Sequence, residues 1–527
     1  MQWGRMQHQK FPTSQIIQKT PILALFVALA GFMSACDPSA LEAQLASGTP
    51  SSASSAPVAS IAFSPSGGAV GSLLTVTSTN GSDLSGTTSV TIGGVSSTPL
   101  SVTTSKVVAM VMPGSGTGGV SLTNANGTSV GASNFSLTTP SVIANQQGTK
   151  IIPSDNTGAA HFGLSSALSA DGNTFISGGY TDNANQGAAW VFVRSAGVWT
   201  QQGPKLTPAN GGVNTPYFGT GVSLSADGNT ACVGAWYDNG AIGAVWFFTR
   251  SGGVWTQQGN KITATGIIGT YAELGFSAAL SADGNTAAVG GFYDNTAVGA
   301  VWIFNRVAGV WSQTAKLVGT GSVGQSRQGA GVAINSDGTT VASASYGDNS
   351  SMGAVWIFTL SAGTWAQQGT KLTPSDTSGA GVRFGQTASL SMDGNTLVAG
   401  APYDNANIGA TWVFTRAAGV WTQQGNKLVA NDNVGAANQG RFTGVSGDGN
   451  TLITGGWKDN NTTGAVWTYT RTAGVWSQQG TKLVGSGGLG ATVGQGISVA
   501  MSMDGSTAVS CGNGDNGNVG AAWVFTP

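Results

Sequence analysis

Charge is the scarcest commodity in this chain. Its 527 residues include 20 Lys and Arg against 21 Asp and Glu, 8% in total, for a net charge of −1. An ordinary globular protein carries about 25%. No basic field is available to hold nucleic acid, and no acidic field to gather cations. Cysteine is nearly missing: Cys36, Cys232 and Cys511 form neither a disulfide framework nor a zinc cluster. The last two sit in apolar runs and are expected to be small buried thiols. Long hydrophobic runs are rare as well. The run PILALFVALAGFMSAC, residues 21–36, is short for a membrane-spanning helix.

What the chain does have is 83 Gly, 16 Trp and 40% hydrophobic residues. Short apolar runs separated by Gly and Asn turns, with enough bulk to fill a core, point to an all-β protein rather than a disordered one.

The first 19 residues carry Arg5, Lys10 and Lys19 and no acid. With the apolar run that follows, they read as a secretory signal over residues 1–36. Its end, Met33-Ser34-Ala35-Cys36, resembles the lipobox of bacterial lipoproteins, which implies lipidation at Cys36 and membrane attachment through that anchor alone. An ordinary signal peptide with an incidental Cys is the alternative. Asp37 resembles an inner-membrane retention signal, so the resemblance implies the cell envelope, surface or outer membrane foremost, without settling which membrane. Residues 37–56 form a Ser/Ala/Pro tether.

Residues 57–139 alternate Val/Ile/Thr runs with Gly/Ser/Pro turns, the pattern of a small β-sandwich. Ser64-Pro65-Ser66-Gly67-Gly68, Val90-Thr91-Ile92-Gly93-Gly94, Met112-Pro113 and Gly118-Gly119-Val120 resemble the IPT/TIG immunoglobulin-like family. That resemblance implies a spacer or interaction domain.

From 141 to 527 the chain repeats itself. A DGN-type turn recurs at Asp171, Asp227, Asp283, Asp337, Asp393, Asp448 and Asp504, at spacings of 56, 56, 54, 56, 55 and 56 residues. Such a period, with four short strands per unit, predicts a seven-bladed β-propeller. In the second unit the strands are expected at 219–225, 230–236, 243–250 and 253–262. The seventh unit lacks its fourth strand, and an orphan copy stands at 143–152, where it can complete that blade and close the ring. Phe384-Gly385 with Gly400-Ala401-Pro402, supported by Phe162-Gly163 and Phe218-Gly219, resembles the FG-GAP propeller of the integrin-α type. Leu274 and Gln328, Gln439 and Gln495 depart from the Phe. A kelch-type propeller is the alternative.

Repeated side chains are expected to serve the blade. Asp of DGN suits a turn, with Gly supplying positive φ. In integrins calcium occupies this hairpin; here one carboxylate in a short loop falls below the six to eight oxygens calcium takes, so no cofactor is expected and calcium stays an alternative. A second Asp lies eleven residues on, at Asp182, Asp238, Asp294, Asp348, Asp404, Asp459 and Asp515. It is expected to make an Asx turn or a clip to the neighbouring blade. The Trp of strands three and four are expected to be inter-blade core, with sugar stacking as the alternative.

Non-repeating residues are where a partner would be chosen. Ten residues before each DGN Asp come His161, Tyr217, Glu273, Arg327, Arg383, Asn438 and Gly494, a register expected to ring the central channel. Arg441 follows Asn438 closely. These residues, Gly494 apart, are the ligand-binding candidates, with Arg327 and Arg383 a fork for carboxylate or phosphate. No nucleophile elbow, metal motif or catalytic pair is legible, so no enzyme is expected. The expectation is a monomeric, envelope-anchored binding or adhesion protein for a glycan or protein ligand. A polysaccharide hydrolase or lyase and a structural envelope component are the alternatives.

Overall fold

A computed structural model describes residues 59–209, 212 and 214–527. The expected signal peptide, the lipidation site Cys36 and the tether 37–56 lie outside the described residues.

The propeller forms as seven four-stranded antiparallel sheets. Blade two runs Val222–Leu224, Thr230–Ala235, Ala244–Ser251 and Val254–Gln257 from the axis outward. Its second strand is buried throughout, because each blade face packs on another blade. The fourth strand is shorter than expected: a turn at Gly259 breaks the pairing, which resumes only as a bridge between Val245 and Ile262. In blades three and six the fourth strand continues through a bulge to Leu317 and Leu483.

Closure occurs as expected. Asn145 and Gln146 pair with Thr526 and Phe525, and Ile151 bridges Ala522, so the early strand completes blade seven. A second closure was not anticipated. The residue before each DGN Asp donates its N–H to the matching carbonyl of the next blade: Ala170 to Ala226, then Ala282, Ser336, Met392, Gly447, Met503 and back to Ala170. All seven bonds measure 2.7–3.1 Å and form an unbroken circle around the axis.

The FG and GAP residues act in packing. Phe162, Phe218 and Phe384 are fully buried against the strand-three Trp of their blades. A Cβ on Gly400 would strike the carbonyl of Gly440 in the next blade, so only Gly fits there. Where Gln replaces Phe it is also buried, and it bonds backbone instead: Gln328 accepts from Gly319 N–H at 2.6 Å and donates to its carbonyl at 3.0 Å.

The N-terminal β segment has its own core around Leu74, Val76, Val90, Val107, Val120 and Phe135. Its strands do not separate into the two sheets of a sandwich. The long strand Gly127–Leu137 pairs antiparallel with Gly118–Asn124 and parallel with Ile61 and with Gly67–Gly68, which joins both layers into one curled sheet, an open half-barrel. This segment seats on the propeller's DGN face. Met110, with Leu73, Leu100 and Met112, packs on Ala170, Ala226, Ala282, Met392 and Met503. Gly71 touches the backbone of Met503 so closely that a Cβ would overlap it.

Candidate ligand cavity on the propeller axis

The repeated charges are structural. Asp171 accepts from Ser169 Oγ at 2.6 Å, from Asn173 N–H at 3.0 Å and from Asn173 Nδ2 at 3.0 Å. Asp227, Asp283, Asp393 and Asp448 repeat the pattern. These are self-contained Asx turns whose oxygens are taken by their own loop.

The second Asp set is buried, and each member pairs with a Lys of its own blade that also recurs once per repeat, from Lys205 on Asp182 to Lys482 on Asp459 and Lys150 on Asp515, at 2.5–2.7 Å. The expected clip to a neighbouring blade is thus corrected. Asp348 shows why: Oδ2 takes Lys371 on strand four, while Oδ1 takes Val323 N–H from the connection entering the blade. One carboxylate gathers three segments of one blade. The turn around it is left-handed, with Asn349, Ser350 and Ser351 all at positive φ.

The strand-three Trp, from Trp190 to Trp523, are fully buried. Five of the six on strand four lie under a strand-three Arg, as Arg250 over Trp255 at 5.4 Å, and Arg250 also reaches Gln202 and Thr174 of blade one; the sixth, Trp365, lies opposite Leu360 and packs on the core shared by blades three and four. Neither set is free to stack on a sugar. Three acids in the variable connections are structural as well: Asp155, Asp376 and Asp432 accept from Trp190, Trp412 and Trp467 Nε1 at 2.6–2.7 Å.

The remaining variable residues gather on the other face. Circle and half-barrel close the axis at the DGN face, and a cavity of about 410 Å³ opens on the opposite one. That volume lies within the roughly 300–1,000 Å³ of small-molecule sites. Of the candidates, Arg441 alone lines it. The wall begins three residues after the candidate register, at Leu164, Thr220, Phe276, Ala330, Gln386 and Arg441.

His161, Tyr217, Glu273, Arg327, Arg383 and Asn438 stand just ahead of this wall. Each has positive φ, between 52° and 63°, and so does Gly494. Each donates its N–H to a left-handed residue of the preceding blade, as Arg383 to Ser351 and Tyr217 to Asn185. For residues other than Gly or Asn this costs about 1–2 kcal/mol apiece. A register where Gly and Asn would sit without strain is filled by His, Tyr, Glu and two Arg.

A second register, at the end of strand two, links these residues to the cavity. It holds Tyr180, Trp236, Phe292, Tyr346 and Trp457, and no expectation was placed on it. The aromatic recurrence nine residues after DGN was the available signal. Tyr217 stacks on Trp236 (5.5 Å, 16°) and packs beside Tyr180 (5.9 Å), which packs on His161 (5.4 Å). His161 Nδ1 is 2.7 Å from Thr181 Oγ1, and burial lowers its pKa. Arg327 donates to Tyr346 OH at 2.8 Å, and both Arg327 and Arg383 lie over the Tyr346 ring. Arg383 also covers Tyr403 at 4.6 Å.

Glu273 is half-buried, and burial lifts its pKa to about 7 against the pull of Arg327. Burial also lowers the pKa of Arg441; Tyr403 and Tyr346 oppose that fall and Arg383 adds to it.

Blades five and six hold unmet polar groups. Among the described residues, the guanidiniums of Arg383 and Arg441 donate no hydrogen bond and meet no carboxylate. Gln386 Oε1 and Asn438 Oδ1 are buried without a donor, although Asn438 Nδ2 reaches Pro402 O at 2.8 Å. The two buried oxygens cost about 1–3 kcal/mol each when left unpaired. No metal-holding group of three or more His, Cys, Asp or Glu occurs among the described residues.

No curated protein among those compared matches the chain. A family model described as FG-GAP repeat matches residues 365–414, from the fourth strand of blade four through the third strand of blade five, and so spans both Phe384-Gly385 and Gly400-Ala401-Pro402.

Proposed function

We propose that this is an envelope-anchored binding or adhesion protein whose propeller takes a glycan or protein ligand into the axial cavity. One observation carries the reading: the cavity is closed at the DGN face and rimmed at the other by residues that break the repeat at a cost in backbone strain. In this reading the N-terminal half-barrel, with its IPT/TIG-like sequence, is spacer and floor at once. The lipid anchor at Cys36 and the tether would hold the protein at the membrane, and it works as a monomer without a cofactor.

The test is a screen of the protein against immobilised glycans and fractionated envelope components. A ligand retained by the wild type should be lost by Arg327→Ala/Arg383→Ala at unchanged melting temperature. Retention by the double variant would rule out this rim.

One observation favours a second reading, a polysaccharide-cleaving enzyme. Glu273, with a pKa of about 7, is poised to give or take a proton at neutral pH. Polysaccharide turnover abolished in Glu273→Gln would establish it. Turnover unaffected by that change, or none at all, would remove it.

A further inference from the structure

The two sides of the cavity differ in kind, and the difference names a ligand class. Tyr180, Trp236 and Phe276, on blades one to three, give one side most of its aromatic surface, and Phe442 of blade six lies beside Arg441 on the other. On blades five and six the wall carries the Gln386 amide and Arg441, whose guanidinium donates no hydrogen bond, while Arg383 overlooks them from the rim. An unpaired guanidinium calls for an anion, and a planar fork fits a carboxylate best. A side-chain amide on the wall, Gln386, calls for a hydroxyl or N–H group to bond. Aromatic faces call for an apolar face across from them. One small molecule offers all three: a pyranose carrying a carboxylate, with hydroxyl donors on its edges and C–H groups on its ring face.

The floor adds a constraint. The hydrogen-bonded circle and the packing of Met110 on Ala170, Ala226 and Ala282 close the axis below, so a chain cannot pass through. A cavity of about 410 Å³ with one mouth admits a chain end of one or two sugar units.

We propose that the axial cavity recognises the terminal acidic sugar of a glycan, end-on, with Arg441 receiving the carboxylate, the Gln386 amide on the same wall bonding its hydroxyls, and the aromatic wall taking its ring face. This deepens the binding reading above and rests on it. A peptide C-terminus shares the carboxylate but not the stacked ring face, which is why the sugar is favoured.

Titration calorimetry of the protein tests the assignment with four probes: a galacturonic acid trimer, sialyllactose, the trimer with its carboxyls reduced, and an acidic peptide with a free C-terminus. The first two separate uronate from sialate ends. One of them should bind one-to-one, at least 10-fold more tightly than the reduced trimer. Arg441→Ala and Trp236→Ala should each weaken it at least 10-fold at a near wild-type melting temperature. Should Arg441→Ala fail to fold, Arg441→Gln provides the same reading. If the uronate is the ligand, longer polygalacturonate should bind no more tightly per chain than the trimer. Affinity that grows with the number of residues per chain would overturn end-on recognition. Equal binding of the reduced trimer, or preference for the peptide, would overturn the acidic-sugar assignment while leaving the cavity a binding site. No binding by any probe would overturn the assignment too, and the immobilised-ligand screen decides separately whether the cavity binds at all.

Discussion

Glu273 concentrates the tension of this site in one side chain. It is held left-handed at φ 56°, half-buried, and its carboxyl is easier to protonate in the fold than out of it. Its pKa rises from an ordinary 4.5 to about 7, so its contribution to stability is fully present below pH 4.5 and is lost as pH climbs through about 7. Glu273→Gln stays neutral throughout. It should melt with the wild type near pH 5 and above it at pH 8; identical melting at both values would contradict the assignment. The register that holds Glu273 was legible in the sequence, because it breaks a sevenfold repeat. Its backbone was not legible, since His, Tyr, Glu and Arg are residues that rarely adopt positive φ. Nor was the offset: the cavity wall starts three residues later, so Arg441 lines it where Arg383 only overlooks it.

At the scale of the element, each blade is held by one buried carboxylate that collects a connection, a loop and an outer strand. Breaking such a pair by removing one partner leaves a buried charge uncompensated, which costs about 3–5 kcal/mol. Lys150–Asp515 is the informative pair, because it joins the N-terminal strand to the last blade at 2.5 Å. Lys150→Met should destabilise by roughly that much, and deletion of 141–152 should lower the melting temperature further; unchanged melting after the deletion would refute closure by this strand. The DGN turns satisfy their own carboxylates, so EGTA should leave the melting temperature where it was, and a fall would show a metal in the fold. Blade number, strand order and the closing strand could be read from the period. The Asp–Lys pairing could not, because the two residues sit 22 or 23 apart within a blade, or 365 across the ring closure, and only the fold brings them together. The same holds for Gln328, which departs from the FG pattern in sequence yet fills the same buried place by bonding Gly319.

At the largest scale the described residues form a ring with a floor. No sequence period announces the floor: the half-barrel's Leu73, Met110 and Met112 look like ordinary strand residues, and the propeller contributes Ala and Met from a turn. Gly71→Val would place side-chain atoms against the Met503 backbone. It should loosen the half-barrel and raise hydrogen exchange in residues 71–73 and 110–112 while the blades keep their protection; unchanged exchange there would contradict the floor. With the floor in place, what repeats is assigned to holding the ring and what does not repeat to choosing a partner. Comparing the melting temperatures of Asp404→Asn and Arg383→Ala/Arg441→Ala tests that division most directly. Asp404 is fully buried on Lys427, whereas the two guanidiniums have no acceptor to lose. Asp404→Asn should melt several degrees below the wild type, and the double Arg variant should melt at or above it. A double Arg variant that falls as far as Asp404→Asn would show the rim to be part of the scaffold and would contradict the account.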